Sequence, residues 1–129
     1  MLLYEDLTYK LRGIFFKVYN ELGPGLPERA YLQAIIYELE RININFKIEE
    51  EITIFYHGRV IWKQRLDLVI DSRIVIEVKA TAVTHPLFIK QTIAYLKAGS
   101  YQLGLLVNFG GDQLIIKRFI NTNNTDHAD

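Results

Sequence analysis

Leu7, Leu11, Ile14, Phe15, Val18 and Leu22 recur at three- and four-residue steps, the period of a helix with one apolar face, and predict an amphipathic helix over residues 4–22. Gly23-Pro24-Gly25 ends it. Pro27 suits the first turn of a second helix, whose apolar positions Tyr31, Ala34, Ile35, Leu39 and Ile42 carry it to about residue 41. The period then drops to two. Ile48, Ile52, Ile54 and Tyr56 predict a strand over residues 46–56, with His57-Gly58 as a tight turn, and two more apolar runs, 60–70 and 74–80, form a hairpin closed by Asp71-Ser72-Arg73. Thr84-His85-Pro86 opens a third helix over residues 86–97, with Gly99 expected to stop it. Phe88, Gln91, Ala94 and Tyr95 share one side of that helix, expected to be buried. Residues 103–107 are an unbroken apolar run, as in a strand covered on both faces, and a strand reached through a helix implies a parallel crossover. Residues 108–112 read as a turn and 113–120 as a last strand. The order of helix, helix, three antiparallel strands, helix, strand, strand predicts an α/β sandwich around a mixed sheet.

Composition narrows the class. The chain has 129 residues, half of them apolar, which suits one domain over residues 1–120 with a real core; 121–129 read as a polar, frayed tail. Fifteen basic residues balance fifteen acidic ones, so no global charge draws the protein to nucleic acid, although a local basic patch remains compatible with that balance. With no cysteine there is no disulfide, thiolate site or cysteine nucleophile, and only three histidines argue against zinc. Residues 1–10 contain Glu5 and Asp6 and no long apolar run, so neither a signal peptide nor a membrane span is expected and the default compartment is the cytoplasm.

The candidate chemistry lies in residues 65–79. If Asp71-Ser72-Arg73 is the loop, Ile70 faces Ile74, and counting outward sets Asp67 opposite Glu77 on one face with Lys79. Leu66, Leu68, Ile70, Ile74, Ile76, Val78 and Ala80 take the other face. Like charges across a ladder call for a compensating cation, and two carboxylates plus the Val78 backbone carbonyl are oxygen donors of the type that magnesium or manganese prefers. The bland alternative is a hairpin with a solvated charged face, and both readings stay open. Glu28, at the start of the second helix, either gains from the helix dipole or projects toward the hairpin as an outer metal ligand or water holder. Gln91 needs a partner in backbone or active-site water. Lys63 and Arg65 fall on the Asp67 face of an unbroken second strand, where they would either meet a phosphate backbone or be solvated.

Asp67, ten residues and then Glu77-Val78-Lys79 in this order of elements resembles the PD-(D/E)XK nuclease superfamily and its restriction-endonuclease-like fold. Gly25-Leu26-Pro27-Glu28-Arg29-Ala30-Tyr31, His85, Gln91-Thr92-Ile93-Ala94-Tyr95-Leu96 and Gly104-Leu105-Leu106-Val107-Asn108-Phe109-Gly110 are similar to blocks of the small bacterial GxxExxY proteins placed in that superfamily. The resemblance implies a magnesium-dependent nuclease, with manganese able to substitute. In it Asp67 and Glu77 bind the ion, Glu28 stands near it, Lys79 orients the hydrolytic water and Gln91 supports the site. Leu66 stands where the superfamily usually has proline. The implied partner is nucleic acid, DNA before RNA; the alternative is a catalytically silent module that binds nucleic acid or a partner protein. Neutral charge without an appended DNA-reading domain suggests a loosely specific enzyme, a homodimer or a subunit of a larger complex.

Overall fold

The computed structural model describes residues 4–121, which run α1 (Glu5–Leu22), α2 (Glu28–Arg41), β1 (Phe46–Ile48), β2 (Glu51–Tyr56), β3 (Arg59–Arg65), β4 (Leu68–Ile70), β5 (Ile74–Lys79), α3 (Pro86–Gly99), β6 (Leu103–Asn108) and β7 (Ile115–Ile120). Of the expected polar tail at 121–129, residues 122–129 lie outside the described residues. Five strands form a sheet in the order β1-β4-β5-β6-β7. Of these, β5 and β6 pair in parallel through α3 and the other neighbours are antiparallel. Helices α1 and α2 cover one face, packing Leu11, Phe15, Tyr31 and Ile35 on Ile70, Ile76 and Leu105. On the other face Leu96 of α3 and Ile52 of β2 meet Val69 and Val75. Covered on both sides, every residue of β6 is buried, which is why its sequence is a continuous apolar run rather than an alternation.

Burial, more than capping, holds α1. Its first cap, Tyr4, has a left-handed backbone and makes no side-chain bond to the helix, forgoing about 1 kcal/mol. Leu11, Ile14, Phe15 and Val18 are buried and each contributes roughly 1.5–3 kcal/mol. The stripe outweighs the missing cap.

Several expectations change. Of the three long antiparallel strands the first two are each interrupted, at Glu49-Glu50 and at Leu66-Asp67, so that β1 joins β4 in the main sheet while β2 and β3 pair as a separate two-stranded ribbon. The reason is polarity. A strand in the middle of this sheet is covered on both faces, and residues 51–65 place a polar or charged group at too many positions to be buried there. The interruption turns Leu66 away from the Leu68 face to pack with Val69, Val75 and Leu96, and Lys63 and Arg65 do not share a continuous strand face with Asp67. Gly99 does not cap α3; it is the last helical residue, with no room for a side chain since a Cβ there would come within 2.8 Å of Ile52 and Tyr101, and Ser100 takes the left-handed cap. In α3 the buried residues are Thr92 and Leu96, while Ala94 is exposed. Asn108 closes β6 instead of opening a turn. Asn121 is not frayed: it is buried, and its side-chain amide donates to the Leu96 and Tyr101 carbonyls.

Candidate active site

The site is made by the break in the strand. Register runs Ile70↔Ile74, Val69↔Val75, Leu68↔Ile76 and there β4 ends, so the partner that a longer strand would have offered to Val78 is missing. The Asp67 carboxylate takes that place. Its Oδ2 accepts the Val78 N–H at 2.8 Å, and the Asp67 N–H donates to Glu77 Oε2 at 3.0 Å. Each acid is thus tied to the opposite strand. Lys79 directs its backbone to β6, where its carbonyl accepts the Phe109 N–H at 2.8 Å, so Val78 one residue earlier directs both its N–H and its carbonyl to the edge that β4 has left.

Burial dominates the electrostatics. Glu77 is 5% exposed, and burial followed by the Asp67 charge pushes its pKa up to about 8, against the lowering pull of the Asp67 N–H and Lys79. Asp67 is also raised, by burial, with the Val78 N–H and Lys79 opposing. Glu28 remains exposed as the first residue of α2, yet partial burial raises its pKa too, and it feels both Lys79 and Asp67. The sequence-predicted acids and the lysine therefore share one electrostatic neighbourhood. Among the described residues, however, no three His, Cys, Asp or Glu side chains form a group that could hold a metal ion, so Glu28 does not close a three-carboxylate shell with Asp67 and Glu77.

Helix α3 supplies the facing wall. Lys79 Nζ sits 4.7 Å above the Phe88 ring, a cation–π contact that holds the ammonium over the start of the helix. Tyr95 has its phenol pKa raised by burial and then by the charges of Glu77 and Asp67. Gln91 lies three residues after Phe88 and four before Tyr95, half-buried on the same stripe. His85 is exposed at the backbone cap of α3, its ring 6.0 Å from Phe88 and making no side-chain cap bond.

Behind the acids the glycine-rich blocks have structural roles. Tyr31 is fully buried; its hydroxyl donates to the Gly23 carbonyl at 2.6 Å and accepts the Leu26 N–H at 3.1 Å, and its ring stacks on Phe109 at 4.7 Å. That staple sets the loop from which Glu28 emerges. Asn108, missed in the sequence as a turn residue, accepts the N–H groups of Thr81 and Gly110 and donates to Thr84 Oγ1, all at 3.0 Å. It knots the loop that leaves Lys79. The available signal was a lone amide closing a wholly apolar run. Gly110 must lack a side chain because a Cβ would lie 2.3 Å from the Thr81 backbone nitrogen.

Comparison with known proteins agrees with this construction. A family model described as the PD-(D/E)XK nuclease superfamily matches residues 5–119. No curated protein matches the chain. Among solved structures, an alkaline exonuclease (LHK-Exo) from Laribacter hongkongensis is similar with a TM-score of 0.50 at 12% identity, over 72% of this chain and 55% of that one. A second, SSO0001, is similar with a TM-score of 0.49 at 22% identity, over 82% of this chain and 60% of that one. The chain spans less than two thirds of the length of either, and at such identities the first likeness is one of fold alone. The family match, extending across both helical layers, the interrupted hairpin and the crossover, means that the chain belongs to the PD-(D/E)XK nuclease superfamily.

Proposed function

We propose that the protein is a metal-dependent nuclease hydrolysing phosphodiester bonds in DNA, or in RNA, and that within its superfamily it stands with the GxxExxY proteins. One observation carries the reading: the buried Glu77 and the half-buried Asp67, each tied by a backbone N–H across the break in the sheet, have their pKa values raised beside Lys79. The superfamily is generally dependent on divalent metal. Asp67, Glu77 and the Val78 carbonyl are oxygen donors suited to a hard cation, Mg2+ or in its stead Mn2+, with Glu28 near from α2. A bound divalent ion supplies positive charge that favours ionised Glu77, acidifies water and offsets charge developing on phosphate.

The chain's own groups do the rest. Lys79, held over Phe88, presents N–H donors to the attacking water and to a phosphate oxygen in an in-line displacement. Gln91 supports that water from α3. The acids are positioned before substrate arrives, since their backbone bonds already lock them, and little reorganisation is left for the reaction.

The test is digestion of single- and double-stranded DNA and of RNA with Mg2+ and Mn2+. Glu77→Gln and Lys79→Met are expected to lose at least about 100-fold in rate with unchanged circular dichroism; wild-type cutting by both variants removes the proposal. A second reading, the catalytically silent module that binds nucleic acid or a partner protein, draws on the raised pKa of Glu77, since a protonated carboxyl is the state least suited to a cation. Digestion by the wild type rejects that reading.

A further inference from the structure

The β2–β3 ribbon carries groups that the acidic site does not use. Phe55, Tyr56, Val60, Ile61 and Trp62 each keep more than half their surface exposed, Trp62 58%. The ribbon is anchored at its base by Ile52, buried against α3, and its outer part stands free of the main sheet. A concentration of exposed apolar side chains on one short element marks a contact surface.

Charge and facing say which contact. From 53 to 64 the only formal charges are Arg59 and Lys63, with no acid, in a chain whose total is zero. Among the described residues neither has a carboxylate partner, whereas Arg65 at the base is held by Glu49 at 3.8 Å. Period-two alternation places Ile54 and Tyr56 on one face of β2 and Thr53 and Phe55 on the other, with Trp62 across from Ile54 and Lys63 across from Thr53. Rings therefore line both faces. Two-sided rings beside unpaired cations suit a nucleic-acid strand whose bases stack on the rings and whose phosphates meet the cations. The rings are also held in place: the Trp62 indole N–H donates to Gln64 Oε1 at 3.0 Å, and Tyr56 meets the His57 ring edge-on at 4.4 Å. The ribbon leads directly to the acids, since β3 ends at Arg65 and Asp67 follows two residues later.

We propose that the β2–β3 ribbon is a stacking platform for an unpaired strand and delivers it to Asp67 and Glu77. This rests on the nuclease reading and specifies its substrate as single-stranded nucleic acid or a frayed end. Trp62 is the chain's single tryptophan, so its emission reports on the platform directly.

The experiment titrates the full chain, in chelator, with short oligothymidylate and with a blunt duplex of equal length, following Trp62 emission and the anisotropy of labelled strand. Saturable quenching by the single strand and little by the duplex is expected. Trp62→Ala and Phe55→Ala should each weaken binding about tenfold, and Lys63→Ala should reduce the salt slope by about 0.7, all with wild-type circular dichroism. Binding without change in Trp62 emission, wild-type affinity in Trp62→Ala, or no strand binding at all overturns the platform. So does sedimentation showing a dimer that Trp62→Ala dissociates, because the ribbon is then covered by a second copy. Quenching without any Mn2+-supported digestion leaves the platform standing and removes the nuclease reading; digestion without quenching does the reverse.

Discussion

Glu77 is where the proposed chemistry and the stability of the molecule meet. Its folded pKa, about 8, lies above the ordinary 4.5 because burial and the Asp67 charge penalise its anion. Folding therefore binds a proton that the unfolded chain releases, and the associated stability is complete below about pH 4.5 and is lost as pH rises through about 8. In chelator, the melting temperature of the wild type is expected to fall across that window, and Glu77→Gln should flatten the curve; parallel wild-type and variant curves would show that Glu77 titrates as an ordinary glutamate. At the neighbouring Lys79, the Phe88 contact is of a kind worth roughly 0.5–2 kcal/mol. Phe88→Leu is expected to lower the cleavage rate several-fold at nearly constant KM, with the pH–rate profile altered, while Phe88→Tyr restores it. The spacing of residues 67, 77 and 79 was legible in the sequence because a turn at 71–73 sets the register by counting. The pKa shift and the Phe88 contact were not, since both come from elements brought together by folding.

At the scale of the element, the interrupted hairpin matters most. A continuous strand would have supplied the Val78 N–H with a backbone partner, and Asp67 would have had no such bond to make. The break was hidden because alternation looks alike on its two sides; only the difference between a strand covered twice and a strand covered once separates β4 from β3. The helix-linking motif is the second such case. Tyr31→Phe removes a hydroxyl that both donates and accepts across the loop before α2, and is expected to cost about 1–3 kcal/mol of stability in chemical denaturation and to lower activity by loosening Glu28. Gly110→Ala drives a methyl into the Thr81 backbone and is expected to cost more than about 3 kcal/mol or to abolish folding, as soluble yield and circular dichroism will show.

For the whole molecule, two helical layers on a shared sheet hold the acidic break rigid from both sides, and among the described residues no helix is long and apolar enough to cross a membrane. If the acids hold a divalent ion, binding to the folded state alone stabilises it by about 2.7 kcal/mol at a hundredfold excess over Kd. Mg2+ or Mn2+ is then expected to raise the melting temperature of the wild type and not of Asp67→Asn/Glu77→Gln; an equal rise in both would place the ion elsewhere. Local periodicity alone determined the helices, the buried fourth apolar run, the parallel crossover and the pairing of residues 70 and 74, because each follows from side-chain spacing within one or two elements. Tertiary structure alone decided that the first two long strands divide between a sheet and a ribbon, that Asn108 knots the loop after Lys79, and that burial raises the pKa of Glu77. Those outcomes depend on what covers each face and on how much water is left around a charge, and neither quantity is written in the order of neighbouring residues.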